Sequence, residues 1–339
     1  MKRNLSCFLM LLFCTAAYRS QAQGLHFSQF YNAPLLLSPA NTALMPESDY
    51  RVGANYRNQW SSIPAPFTTI SAFGDFQAFR NQNNTNWLGI GGAFFSDRAG
   101  NGDLALTKVQ LSAAYHVQLG SYNMLSVGLG AAFVQRSVDF SKLTFDTQWD
   151  GFTFNPRSAN GEKYAFQKTS YADISAGLNY AYFPNENLYI KVGVGLLHIN
   201  QPNESFYRQD NKLGMRPTAN VDVLYKLSDT WIADISGYYT QQKSASEFVF
   251  GGMFTCNVTP KEHRPNIFIL GLYYRASDAI IPVVGFEWNK IRVTASMDAT
   301  TSNLSSATRG SGAFELSILY QGLYHSGSKN RDAYNCPRF

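Results

Sequence analysis

Beyond residue 48 the chain alternates. Apolar and polar residues change places at every position through runs of about a dozen residues, and clusters of Asn, Gly, Pro, Ser and Asp separate the runs. A period of two sends successive side chains to opposite faces, which predicts β-strands. In one run Leu111, Ala113, Tyr115 and Val117 share a face, while Gln110, Ser112, Ala114, His116 and Gln118 share the other. In another, Ala219, Val221, Val223 and Tyr225 oppose Thr218, Asn220, Asp222 and Lys226; in a third, Ile291, Val293, Ala295 and Met297 oppose Arg292, Thr294, Ser296 and Asp298. The whole chain read this way gives fourteen strands, at 49–60, 68–80, 86–97, 103–119, 122–138, 170–183, 187–200, 213–228, 230–241, 246–257, 266–276, 278–288, 290–300 and 311–322.

The connections alternate too. Gly120-Ser121, Pro184-Asn185-Glu186, Ser228-Asp229 and a tight turn at Asn289 would lie on one side, and the longer Asp139–Thr169, Gln201–Lys212 and Thr301–Gly310 segments on the other. Two connections break the scheme, since Asn257–Pro265 is long for its side and the turn at Ser277 is short. An even strand number, short turns on one side and long loops on the other are the plan of an outer-membrane barrel. Past the amino end no segment approaches the ~18 apolar residues of a membrane helix, so any spanning falls to a closed barrel that satisfies its backbone internally. The expected fold is thus all-β, a transmembrane antiparallel outer-membrane β-barrel of about 14 strands. Aromatics near strand ends, such as Tyr56, Trp60, Tyr180, Tyr182, Trp231, Tyr238, Tyr239, Tyr273, Tyr274 and Trp288, suit the girdles at headgroup level. Aromatics also favour strands in soluble sandwiches, but fourteen long strands with one apolar face point to lipid.

The amino end reads as a secretory leader. Lys2 and Arg3 precede an apolar run from Leu5 to Ala17, and cleavage after Ala22 would make 1–22 a signal peptide. A lipoprotein reading of Cys14 fits poorly after the bulky Phe13. The chain carries 28 Lys and Arg against 23 Asp and Glu, and losing Lys2, Arg3 and Arg19 brings the remainder close to neutral. Such a balance gives no broad field for a polyanion, and no nucleic-acid partner is expected. Cys256 and Cys336 would remain, either bridged or as two separate thiols.

Residues 23–48 form an amino-terminal periplasmic or plug segment ahead of the barrel at 49–322. Pro34 and Pro39 turn Ala33 and Ser38 away from helix, so the segment is expected to run extended. Phe27, Phe30, Tyr31 and Leu35–Leu37 are too apolar for a solvated tail. They would pack inside the barrel or on its rim, or else dock a periplasmic partner. The last strand ends at Gly322, which leaves 323–339 as a periplasmic tail, with Cys336 and Phe339 positioned against the rim and Pro337 unable to join a ladder. Phe27, Phe30, Tyr31, Pro34, Pro39, Cys336 and Phe339 are the candidate docking residues. Deleting 335–339 should spare barrel assembly but weaken partner association.

Opposite the apolar stripes lie Arg51, Arg57, Asp75, Arg136, Asp173, Lys191, Asp222, Asp234, Glu287, Arg292, Asp298 and Glu315. Both signs in similar number suit a narrow lumen in which charges pair, so a filled or plugged bore is expected over an open pore. The chemistry-bearing motifs are missing. His26, His116, His198, His263 and His325 are scattered, no Gly-x-Ser-x-Gly elbow occurs, and Gly193-Val194-Gly195 lies in a strand with no helix after it. No catalytic residue, cofactor or metal ligand is assigned, and no enzymatic activity is expected.

Gln23 to Pro34 reads Gln-Gly-Leu-His-Phe-Ser-Gln-Phe-Tyr-Asn-Ala-Pro, followed by Leu35–Leu37 and Ser38-Pro39-Ala40-Asn41-Thr42. With Tyr56-Arg57-Asn58-Gln59-Trp60, Pro66-Phe67-Thr68-Thr69 and the terminal Cys336-Pro337-Arg338-Phe339, this resembles the PorP/SprF family of type IX secretion system membrane proteins over nearly its full length. Gly24 stands where the family usually has an acidic residue, and Ser38 where Asn is common; both blur the subgroup and hence the partner served. The resemblance implies a non-enzymatic outer-membrane barrel of the secretion and gliding machinery, with both termini in the periplasm. It would contact outer-membrane lipid and periplasmic type IX components, and would support export or surface anchoring of a large adhesin through the carboxy-terminal domain of that secreted protein. A fatty-acid-transporter-like barrel for hydrophobic or small solutes is the alternative, and a soluble lectin-like sandwich a third. A transporter needs a contiguous cavity, whereas an anchoring barrel should co-purify with a surface protein.

Overall fold

A computed structural model describes residues 24–324, apart from 46–47, 64–65, 84, 101, 160, 162–165, 208, 260–265, 304 and 309. The leader and the tail beyond 324, with Cys336 and Phe339, lie outside the described residues. Fourteen strands form one closed antiparallel barrel. They are β1 (Tyr50–Gln59), β2 (Phe67–Ala78), β3 (Asn86–Ala99), β4 (Leu104–Leu119), β5 (Asn123–Ser137), β6 (Lys168–Asn185) and β7 (Leu188–Leu197). The second half comprises β8 (Arg216–Lys226), β9 (Trp231–Gln242), β10 (Ala245–Asn257), β11 (Ile267–Arg275), β12 (Ala279–Trp288), β13 (Ile291–Thr300) and β14 (Ser311–Gly322). Each pairs with its sequence neighbours, and β14 closes on β1 with Tyr50 opposite Gly322 and Gln59 opposite Ala313. Closure removes both sheet edges, so the wall satisfies its own backbone.

The alternation is inverted relative to a soluble protein. On β4, Leu111 is 68% exposed on the outer face, while Gln110, Ser112 and His116 are buried on the inner one. An apolar exterior around a polar interior is what lipid requires. Tyr180, Tyr182, Tyr225, Trp231, Trp288 and Tyr320 stand exposed near one end of the wall, as a girdle does. That end carries the short turns. One of the two-residue turns joins β12 to β13 through Asn289 and Lys290, both at positive φ (50° and 68°), the backbone that a two-residue hairpin needs. The other mouth carries the 138–167, 198–215 and 301–310 loops.

Residues 24–45 lie inside the wall. Gly24 sits at the long-loop mouth beside Arg216 and Gln242, and Leu25 accepts a hydrogen bond from Arg216. From there the segment descends to the short-turn mouth, where Gln77 holds the Met45 carbonyl and the chain enters β1. Tyr324 lies at that same mouth, its N–H donating to Asp49 and its hydroxyl to the Gln77 carbonyl. The described ends, Gly24 and Tyr324, therefore lie at opposite mouths, while the termini themselves lie outside the described residues. The segment crosses the barrel once before β1, so an even number of strands leaves the ends on opposite sides.

Candidate functional site

The segment does not run extended as the prolines suggested. A 3-10 turn at Phe30–Asn32, a one-turn helix α1 (Pro34–Leu37) and a second 3-10 turn at Pro39–Asn41 fold it into a compact strap. The proline rule acts one residue earlier. Ser38 is extended (φ −161°, ψ 136°) and Ala33 is not helical, but each proline opens the next turn, where its missing N–H costs nothing.

At the long-loop end the strap is tied by charge. The Ser28 and Gln29 N–H groups donate to the Glu315 carboxylate at 2.6 and 2.9 Å. The Ser28 hydroxyl donates to Asp298 at 2.7 Å and accepts from Arg57 at 2.7 Å and from Arg275. Arg57 also reaches Glu315 and Asp298, and Arg275 donates to Asp298 at 2.8 Å. Two guanidinium groups thus meet two carboxylates with Ser28 between them, all buried. Removing one partner from such a set leaves an uncompensated charge, at a cost of about 3–5 kcal/mol. Just above, His26 lies between Arg57, 3.5 Å from its Nε2, and Glu247, 3.9 Å from its Nδ1.

Below the latch, Gln29 and Asn32 hydrogen-bond Ser296 and Thr294 on β13. At the short-turn end the Ala43 N–H donates to Asp75 at 2.8 Å, and Arg51 forks onto the same carboxylate. The Trp87 indole donates to the Ala43 carbonyl at 3.0 Å. His116 Nε2 lies 2.8 Å from the Thr42 carbonyl, which can only accept, so Nε2 carries the proton and Nδ1 accepts from Ser126 at 2.7 Å.

Between these ties the wall makes room for backbone. A Cβ on Gly128 would stand 2.4 Å from Ala40 N and from the Pro39 carbonyl carbon; one on Gly89 would stand 2.2 Å from Thr42 O, and one on Gly195 2.8 Å from Leu37 O. Gly195 belongs to the Gly-Val-Gly run; it alone of the run meets the strap, since Gly193 faces the Asn179 and Asn220 side chains.

Five of the seven sequence-predicted docking residues fall in this lumen, and the other two, Cys336 and Phe339, lie outside the described residues. Phe27 packs with Leu35, Phe73 and Phe95. Phe30 meets Tyr238 and Tyr273 edge-on at 4.9 and 5.7 Å, and Tyr31 stacks on Tyr273 at 5.5 Å. Pro34 and Pro39 are buried, and the Pro34 carbonyl accepts from Asn41. Docking through these five would require the strap to leave the barrel. Sequence reasoning passed over Ser28, Gln29 and Thr42, although each is a polar residue in an apolar segment destined for burial. Cys256 lies half-buried on β10. Among the described residues no group of three or more His, Cys, Asp and Glu is placed to hold a metal ion.

A family model described as type IX secretion system membrane protein PorP/SprF matches residues 19–320. No curated protein matches the chain. Among solved structures, the Ralstonia pickettii toluene transporter TbuX is similar at a TM-score of 0.50 and 11% identity, over 87% of this chain and 94% of that one. A Pseudomonas aeruginosa FadL homologue gives 0.50 and 11%, over 84% and 92%. A deletion mutant of the monoaromatic hydrocarbon channel TodX gives 0.51 and 9%, over 85% and 93%. Identities this low speak for a shared barrel fold alone.

Proposed function

Because the chain belongs to the PorP/SprF family of type IX secretion system membrane proteins, we propose that it is a plugged outer-membrane barrel without catalysis of its own. In this reading it supports export or surface anchoring of a large adhesin-type protein, recognised through that protein's carboxy-terminal domain, and works with periplasmic parts of the secretion and gliding apparatus. The observation that carries the reading is the strap tied at both ends of the lumen, by Ser28 and Gln29 at one mouth and by Thr42 and Ala43 at the other. A barrel that fills its bore with its own chain is suited to scaffolding. With the long loops facing outward, Gly24 would lie at the cell-surface mouth.

The transporter-like neighbours motivate a rival reading, passage of apolar solutes. Such passage needs a continuous apolar path, whereas the lumen here is crossed by buried ion pairs and a hydrogen-bonded strap. Purification in mild detergent at native expression, with mass spectrometry of what accompanies the barrel, tests the choice. Secretion components or a surface protein should be recovered, and loss of the barrel should strip that protein from the cell surface. Recovery of the barrel alone, with an unchanged cell surface, would refute the secretion reading.

A further inference from the structure

The wall keeps its charges inside, with two exceptions. Among the charged residues of the fourteen strands only Arg98 on β3 and Lys168 on β6 are exposed; the others are buried or half-buried toward the lumen. Both exceptions are cations. Cross-strand pairing sets them in one row, in which Arg98 stands opposite Ala105, Ala105 opposite Ser137, and Ser137 opposite Lys168. Directly paired residues share a face, and Ala105 shares its face with Val109 and Leu111, both exposed, so the row lies on the outer surface. It runs just below the 100–103 turn and the 138–167 loop.

The next row toward the bilayer is polar as well, with Ser96, Thr107, Gln135 and Ser170 side by side. One row further the face turns apolar, with Phe94, Val109, Phe133 and Ala172 all exposed. Four adjacent strands thus carry a polar patch two rows deep above an aromatic edge, which places it at headgroup level. A charge on the outer face is tolerated there and costly nearer the midplane. Arg98 and Lys168 are three strand spacings apart, about 14 Å. Between them stand only the small side chains of Ala105 and Ser137, so two long cationic side chains flank an open floor. The nearby acids are engaged elsewhere. Asp97 belongs to the lumen face and accepts from Thr69, while Asp103 and Asp139 on the adjoining loops are bonded by Lys142. Among the described residues neither Arg98 nor Lys168 makes an ion pair.

We propose that this patch binds the phosphate-bearing headgroup of a membrane lipid. Arg98 and Lys168 donate to the phosphate oxygens, which only accept, and the Ser137, Ser96, Thr107 and Ser170 hydroxyls meet the remaining polar groups of the headgroup. Two basic side chains beside a bilayer attract an anionic headgroup in any case. A lipid fits better than a protein because the patch runs without a break into the apolar wall. One molecule can lay its chains on Phe94, Val109 and Phe133 while its phosphate lies between the two cations. The site does not depend on the secretion reading, only on the barrel standing in a membrane.

The test incubates the purified full-length barrel in detergent with lipid A or with the same lipid A stripped of its phosphates, and counts bound lipid by native mass spectrometry. Wild type should retain the phosphorylated form at least tenfold better, by a margin that narrows as salt rises. Retention should fall several-fold in Arg98→Gln or Lys168→Gln and at least tenfold in the double variant. It should be kept in Arg98→Lys and in Lys243→Gln, an exposed lysine on the β9–β10 turn of the same mouth. Heat-modifiable gel mobility confirms that each variant is assembled. The dephosphorylated lipid should bind all variants alike, which a general loosening of the wall would not give. Equal retention of the two lipids by wild type, or full retention by the assembled double variant, would overturn the site. Displacement of the lipid by an equal concentration of inorganic phosphate would make this a site for the free anion and overturn the headgroup assignment.

Discussion

Replacing Gly128 by alanine should loosen the strap without touching any of its hydrogen-bonding side chains. The added Cβ would lie 2.4 Å from Ala40 N, 2.4 Å from the Pro39 carbonyl carbon and 2.5 Å from its oxygen. All three are backbone atoms, so no rotamer can relieve the contact. Ordinary van der Waals contact begins near 3.4 Å, so the strap must retreat by roughly 1 Å, an overpacking that costs about 1–3 kcal/mol. That cost falls on the seated strap and not on the wall, and it raises the unseated fraction about 5- to 150-fold. Planar-bilayer recording reads the change, because an unseated strap leaves an ion path. Wild type should pass rare, brief openings, and Gly128→Ala should pass them more often by that factor. Gly92→Ala is the control, since its Cβ would face outward at an ordinary 3.4 Å from Leu111. An assembled Gly128→Ala barrel as quiet as Gly92→Ala would refute a strap lying against this wall.

The charged tie should matter more than the glycine. Glu315→Gln leaves Arg57 and Arg275 sharing Asp298, an expected weakening of about 3–5 kcal/mol, seen as faster hydrogen exchange at Ser28 and Gln29; unchanged exchange would count against the tie. An epitope inserted just before Gly24 should be reached by antibody on intact cells; labelling only after the outer membrane is permeabilised would place the long-loop mouth on the periplasmic side.

The wall was legible because its physics is local and periodic. Each strand needs one lipid face, and the alternation that satisfies lipid is visible in any ten residues of β4 or β13. The fourteen predicted strands correspond one for one with the observed ones, and even the exceptional long 258–266 and short 276–278 connections are present. The strap has no such period. Its turns at Phe30–Asn32, Pro34–Leu37 and Pro39–Asn41 are set by what surrounds them, so the prolines marked Ala33 and Ser38 correctly as non-helical but said nothing of the turns they open. The direction of travel was hidden for a related reason: counting strands fixes the parity of the wall, and a strap through the lumen changes that parity without adding a strand.

What the wall did encode about the strap is a shortage of side chains. On the inner faces of β3, β5, β6 and β7, Gly89, Gly128, Gly177 and Gly195 stand where a polar lumen wall would otherwise carry a side chain, and each meets a strap atom between Leu37 and Thr42. Four glycines scattered across the sequence look like weak strand positions, since glycine neither packs nor favours the extended state. They acquire meaning only when antiparallel pairing sets them in one row across the wall, Gly89, Ala114, Gly128, Gly177 and Gly195, in which the β4 residue Ala114 alone carries a side chain. The carboxyl half of the strap is thus held by backbone shape together with the bonds at Thr42 and Ala43, while the amino half is held by Glu315, Asp298 and two arginines. Shape resists sideways displacement, and the charged tie of the amino half resists withdrawal toward the short-turn mouth. A partner that frees the strap would therefore act first on Ser28 and Gln29, and the segment, anchored at Tyr50, would leave toward the short-turn mouth.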